Sequence, residues 1–359
     1  MSHLEERLER DLEEIRDRVA IMADDVDGAI TDAIYAFQHG DSTLANNIVL
    51  KDLPINRSSR KIDKLCHAFI ALHLPSAGHL RLLSSVIRAN IILERIGDYA
   101  VTIAREAIQL DSILQGHINQ DLERVSAEVR LVLGQAITSF NNLNADLARG
   151  AVALVNQLEN NMDSVYVELM ANEEGQDAKE LMVTLITFTQ LKRVADQAKN
   201  LCQQTIFSAT GEAKAEKVYK VLFIDEDNSC LSQMAAVIAK KAFPQSGQYS
   251  SAGQTAATAL NSGMTKFMEG LSIDLVRAKP TALKDMRQEL SQYHVIVSLQ
   301  GPAQDLIASG VPFRTSVLEW DLGGIPEGDD TEAYKAIYSD IAMRVRELMT
   351  LLRGEEGAD

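Results

Sequence analysis

Two stretches of this 359-residue chain carry side chains that could do chemistry. The first is ILERIGDYAVTIARE (92–106), in which Glu94 and Asp98 lie four residues apart. On a helix that spacing stacks both carboxylates on one face, which taken alone reads as a solvated acidic face of an amphipathic helix. An altered copy, LKRVADQAKNLCQQ (191–204), repeats the spacing with Asp196 and Asn200. Arg105 and Lys192 stand close by, where they could pair with the acids or repel a cation. Gly97 costs the helix roughly 1 kcal/mol relative to Ala, which points to a close approach by another backbone or ligand. The second stretch is DEDNSCLS: Asp225, Glu226, Asp227, Asn228, Ser229, Cys230, Leu231 and Ser232. Three carboxylates between an apolar run and a helix could take magnesium or calcium. The plainer reading is that acids are favoured near a helix N-terminus.

The elements that position these groups fall into two grammars. Up to about residue 208, apolar residues recur at three and four, the helical period. Leu4, Leu8, Leu12, Ile15, Val19, Met22, Val26 and Ile30 open the pattern. Gly40-Asp41-Ser42 breaks it, and a second helix carrying Asp52 and Asn56 is expected from there to Pro75. Ser76 caps a third, over 77–110, which bears the first motif. From Asp121 the plan repeats: a long helix, a break at 144–146, a helix with Glu159 and Asp163, and the second motif helix over 177–208. Three antiparallel helices, twice, make an all-α bundle region.

A small, charged segment, ATGEAKAEK (209–217), reads as a linker. After it, VYKVLFI (218–224), HVIVSL (294–299) and RTSVLEW (314–320) read as buried strands, with helices over 234–243 and 331–353. That alternation predicts a small α/β domain with a parallel sheet. The expected divisions are 1–113 and 114–210 for the two bundles, 211–217 for the linker, and 218–359 for the α/β domain.

Composition bounds the functions. At 46% hydrophobic and 24% charged the chain is ordinary for a soluble globular protein. A net charge of −16 with no basic stripe speaks against nucleic acid. Three cysteines (Cys66, Cys202 and Cys230) fall at no zinc or disulfide spacing, which fits a reducing cytoplasm. The charged N-terminus has no apolar signal region, and no apolar run is long enough to span a bilayer.

The first ~210 residues, bounded by the change of grammar, resemble the PhoU family, regulators of bacterial phosphate uptake. The likeness rests on Leu93-Glu94-Arg95-Ile96-Gly97-Asp98, on Pro75-Ser76-Ala77 followed by Leu80-Arg81, and on the Asp52/Asn56 and Glu159/Asp163 pairs. It implies paired three-helix bundles and a regulatory role between a phosphate transporter ATPase and its sensor histidine kinase. Contact with the membrane would come through those partners only, in the cytoplasm, with a homodimer left open. It also implies metal, a divalent ion or iron or zinc, at Glu94, Asp98, Asp196 and Asn200. This chain departs from the family's Glu, Asp, Asn, Glu face, with Thr102 and Arg105 in one copy and Lys192 and Gln203 in the other. His79 also stands where the family carries Asp.

From Val218 on, the chain resembles the low-molecular-weight phosphotyrosine phosphatase and arsenate reductase superfamily. Val221-Leu222-Phe223-Ile224, Asn228-Ser229-Cys230, Ser232-Gln233-Met234-Ala235, Ser251-Ala252-Gly253 and Glu319-Trp320 carry it. Those enzymes end the first strand on a Cys nucleophile and follow it with an Arg that clamps the phosphoryl oxygens. Here Asp225 and Leu231 hold those positions, and Asp321-Leu322-Gly323-Gly324 replaces the Asp-Pro of the general acid. The resemblance therefore implies the fold without the catalysis. VLFIDEDN (221–228) also resembles the start of a two-component receiver, but the later strand ends Ser298-Leu299-Gln300, with no aspartate. Two other functions stay open: a metal-binding sensing module on the helical carboxylates, and a phosphatase with Asp225 as nucleophile.

Overall fold

The computed structural model describes residues 3–73, 75–110, 113–114, 116–171, 177–214, 217–273, 275, 278–286, 290–307, 310–312, 315–326 and 328–354. Its contacts divide into two compact units, Met1–Lys214 and Ala215–Asp359. No described helix is long and apolar enough to cross a membrane.

The first unit is helical: α1 (His3–His39), α2 (Ser42–Leu50), α3 (Asp52–Leu72), α4 (Ala77–Gln109), α5 (Gly116–Asn141), α6 (Ala145–Ala171) and α7 (Ala178–Thr210). Side-chain caps set several of the starts. Asp41 accepts from the Leu44 N–H at 2.9 Å, Ser76 from that of His79 at 3.3 Å, and Asp177 from that of Glu180 at 2.8 Å. The helix expected over 42–75 is two helices, parted at Lys51. Pro54 explains the break. Its ring would collide with the Leu50 carbonyl in a continuous helix, whereas in the first turn of α3 its missing N–H costs nothing. α5 begins at Gly116 rather than at Asp121.

The apolar stripes meet in one core, from Leu12, Ile15 and Val19 on α1 to Val194, Ala198 and Leu201 on α7. The two motif helices, α4 and α7, pack directly on each other; α1, α2 and α3 flank the first, α5 and α6 the second. They run antiparallel: the Arg81 side chain lies against Gly211 at one end, and the Arg193 guanidinium sits 5.9 Å over the Tyr99 ring further along. The repeat in the sequence is thus an internal pairing in space.

The second unit holds β1 (Tyr219–Asp225), α8 (Leu231–Ala242), β2 (Gly247–Gly253), α9 (Ser262–Gly270), β3 (Val295–Ser298), α10 (Ala303–Leu306), β4 (Ser316–Glu319) and α11 (Thr331–Arg353). The sheet runs β2-β1-β3-β4, parallel throughout. Val221 and Phe223 face the core under α8 and α11, while Leu222 and Ile224 face the opposite layer with Ile296 and Leu306. The reading from sequence had no strand at β2 and no helix at α9. β2 is GQYSSAG, a half-buried edge strand without the β-branched apolar residues that mark one. Arg314 of the expected last strand, and Ala215 and Glu216 of the expected linker, lie outside the described residues.

Candidate functional site

The loop between β1 and α8 sits at the carboxyl edge of the sheet, where the strand order reverses between β1 and β3. Parallel sheets form their ligand crevices at such a point. Asp225 closes β1 with no solvent exposure. Its Oδ1 accepts from the Asn228 N–H at 2.7 Å and its Oδ2 from the Ser232 N–H at 2.9 Å. Asn228 is left-handed, φ 56°. Its side chain donates to Ser232 Oγ at 2.7 Å and accepts from Gln233 Nε2 and the Thr281 N–H, both at 2.9 Å. The Ser229 N–H donates to Asp227 at 2.9 Å. Carbonyls of Glu226, Asp227 and Ser229 accept from Thr255, Ala257 and Asn261, which lashes the loop to the segment after β2.

Burial pushes the Asp225 carboxyl up, against the amide bonds of Ser232 and Asn228, which pull it down. Cys230 and Leu231 point into the apolar core. Burial, and then the charges of Asp225 and Asp227, push the Cys230 thiol up to about 12. A thiol so held is not a nucleophile near neutral pH. Above the loop opens a cleft of about 670 Å³ lined by Glu226, Asp227, Gln254, Gln300, Asp305 and Asp321, with no Lys or Arg among its described lining. Such a cleft repels a phosphoryl dianion and offers no guanidinium to hold one. Sequence reasoning missed Gln254, Gln300 and Asp305. Gln254 follows β2, whereas Gln300 and Asp305 follow β3, and no motif joins them.

In the helical unit the first carboxylate face is assembled across α3 and α4. Asn56 donates to Asp52 at 2.9 Å, and Ser59 Oγ donates to Glu94 at 3.4 Å. Partial burial, then the nearby charges of Asp52 and Glu94, push the Asp98 carboxyl up. Gly97 has its close neighbour: a Cβ there would meet two carbons of Ile55 at 3.4 Å. Thr102 turns its hydroxyl to the Asp98 carbonyl at 3.0 Å.

The second face differs. Lys199 pairs with Glu159 at 3.2 Å, both half-buried, and Asn200 donates to Gln197 at 3.5 Å. Sequence reasoning put Lys192 and Arg105 forward as the neutralising cations; the ion pair seen on this face uses Lys199. Asp196 lies on α7 close to Asn200, and the Asp163 side chain lies outside the described residues. No group of three or more His, Cys, Asp or Glu among the described residues is gathered tightly enough to hold a metal ion.

Known proteins match along the same lines. The PhoU domain matches residues 19–107 and 122–205. The phosphate-specific transport system accessory protein PhoU homolog of Pseudomonas putida is 29% identical over 214 residues, 58% of this chain and 83% of that one. The corresponding Escherichia coli protein is 26% identical over 212 residues, 58% and 88% of the two chains. The crystal structure of PhoU from Pseudomonas aeruginosa covers 57% of this chain and 99% of its own, with TM-score 0.55 and 28% identity. An arsenate reductase in its phosphate-binding state covers 37% of this chain and 98% of its own, with TM-score 0.32 and 23% identity. The helical unit of this chain is a PhoU region, two PhoU domains in tandem.

Proposed function

We propose that this chain is a non-catalytic regulator of phosphate uptake and phosphate-responsive signalling, acting by contact with the transporter ATPase, the sensor histidine kinase, or both. The tandem PhoU domains carry this reading, because the relatives that match them are named as accessory proteins of phosphate-specific transport systems. Two helical bundles packed through α4 and α7 present broad faces suited to docking. The α/β unit adds a phosphatase-like surface without phosphatase chemistry, since Asp225 and Leu231 stand at the nucleophile and clamp positions. Its acidic cleft and the chain's net charge of −16 favour basic patches on the partner. Exposed charges are screened beyond about 10 Å at 0.1 M salt, so the contact is salt-sensitive. The full-length chain is expected to retain the ATPase or the kinase in co-purification at low salt and release it as salt rises. Retention of neither at low salt sinks the reading.

A second reading, metal sensing on the helical carboxylates, draws on the crowding of Asp52, Glu94 and Asp98, which a cation would relieve. The ligands would be Glu94 and Asp98 in one half, Asp196 and Asn200 in the other, around a hard, oxygen-seeking divalent ion. The first half is the better of the two, because Lys199 already neutralises Glu159 in the second. Elemental analysis of protein purified without chelator is expected to find no more than one such ion per chain. Stoichiometric iron or zinc in both halves would show that the cations on these faces do not exclude a metal.

A further inference from the structure

α8 begins without a cap of its own. Cys230, at its N-cap position, makes no side-chain capping bond, and the first amides of a helix need acceptors from outside it. One acceptor comes from the strand. The Asp225 carboxylate, seven residues before Ser232, takes the Ser232 N–H on one oxygen and the Asn228 N–H on the other. Two amides converging from a loop and a helix start are the donors that hold an oxyanion. Here they converge on a carboxylate that belongs to the chain.

We infer that Asp225 is the resident anion of an oxyanion cradle, so that the cradle is closed to free phosphate and arsenate. The inference rests on reading the α/β unit as non-catalytic. Three observations carry it. Asp225 has no solvent exposure, so it is enclosed as a bound ligand would be. Each carboxylate oxygen has its own amide, within 3 Å. The cradle's shape is held by neutral groups other than Asp225: the left-handed Asn228 bonds Ser232, Gln233 and Thr281 through its side chain. That last point means the cradle should outlast the loss of its anion. Glu226 and Asp227, the next two residues, then add repulsion against any dianion arriving from the cleft. Phosphate concentration is not read by this loop.

Chemical rescue tests it on the full-length chain. Asp225→Ala leaves two inward amides facing a hole the size of a carboxylate. The variant is expected to melt lower than the native chain by about 4 °C or more. Formate should restore part of that loss saturably, whereas sodium chloride at equal ionic strength should not. The native chain should show no such response to formate. Inorganic phosphate should do less than formate in Asp225→Ala, because Glu226 and Asp227 remain. A variant that melts like the native chain, or one that formate restores no better than chloride does, overturns the inference.

Should Asp225→Ala not fold, Asp225→Asn decides. Its amide oxygen takes one N–H while its NH2 confronts the other, so it should melt below the native chain and ignore formate. An Asn variant as stable as the native chain overturns the inference equally. Turnover of a phosphate ester would remove the non-catalytic reading instead, and the formate result would be unchanged by it.

Discussion

The purified chain is expected to leave p-nitrophenyl phosphate intact and to reduce no arsenate. The loss comes from several independent causes. The carboxylate at the nucleophile position is fully enclosed and each of its oxygens is held by a backbone amide, so a substrate has no open line to it. Leu231, where a guanidinium would stabilise the transition state, is fully buried in the apolar core. Loss of a single preorganised donor costs on the order of 10²–10³ in rate, and on the proposed reading the main one is missing together with the nucleophile. The remaining acids face the cleft and repel the substrate.

For the same reasons Asp225→Cys with Leu231→Arg should restore little activity. It would put a cation into a site built for an apolar side chain, at a cost in stability, while Glu226 and Asp227 remain. Steady turnover by the native chain that disappears in Asp225→Asn would contradict all of this.

Gly253→Ala is expected to be the most damaging small substitution in the α/β unit. A Cβ there would lie 2.3 Å from the Thr255 carbonyl oxygen, and 2.6 Å from both the Asn228 nitrogen and the Asp227 carbonyl carbon. These are backbone atoms, and they are fixed. The Gly253 N–H bonds the Thr281 carbonyl, and Thr255 and Ala257 bond the loop carbonyls of Glu226 and Asp227. Nothing flexible can give way, so the end of β2 must part from the β1–α8 loop. The cost should be ~3 kcal/mol or more, lowering the melting of this unit by roughly 10 °C. Calorimetry checks it, and a variant melting within a degree or two of the native chain would show that the loop yields easily.

Much of this protein was legible in residue order. The stripe from Leu12 to Ile30 gave α1, and Asp41, Ser76 and Asp177 marked helix starts, because periodicity and caps act over a few residues. The paired motifs around Gly97 and Ala195 announced the tandem PhoU domains. The runs before Asp225 and up to Leu299 announced the two central strands, whose residues are buried on both faces. Pro54 is an equally local signal for the break between α2 and α3, because its ring forbids a continuous helix there.

Other features existed only in three dimensions. β2 becomes a strand because β1 offers it a ladder, from Tyr219 with Gly247 to Asp225 with Gly253, and not because GQYSSAG prefers to be one. Lys199, not Lys192, neutralises Glu159, a choice made by how α6 and α7 pack across 40 residues of chain. The acids of the cleft follow different strands, Glu226 and Asp227 after β1, Asp305 after β3 and Asp321 after β4, so no spacing could have grouped them. The residue type at position 225 excluded a thiol nucleophile, but only the fold turned its carboxylate inward onto two amides. Local sequence sets what a segment can form, whereas the partner of a buried charge depends on which distant backbone is packed beside it.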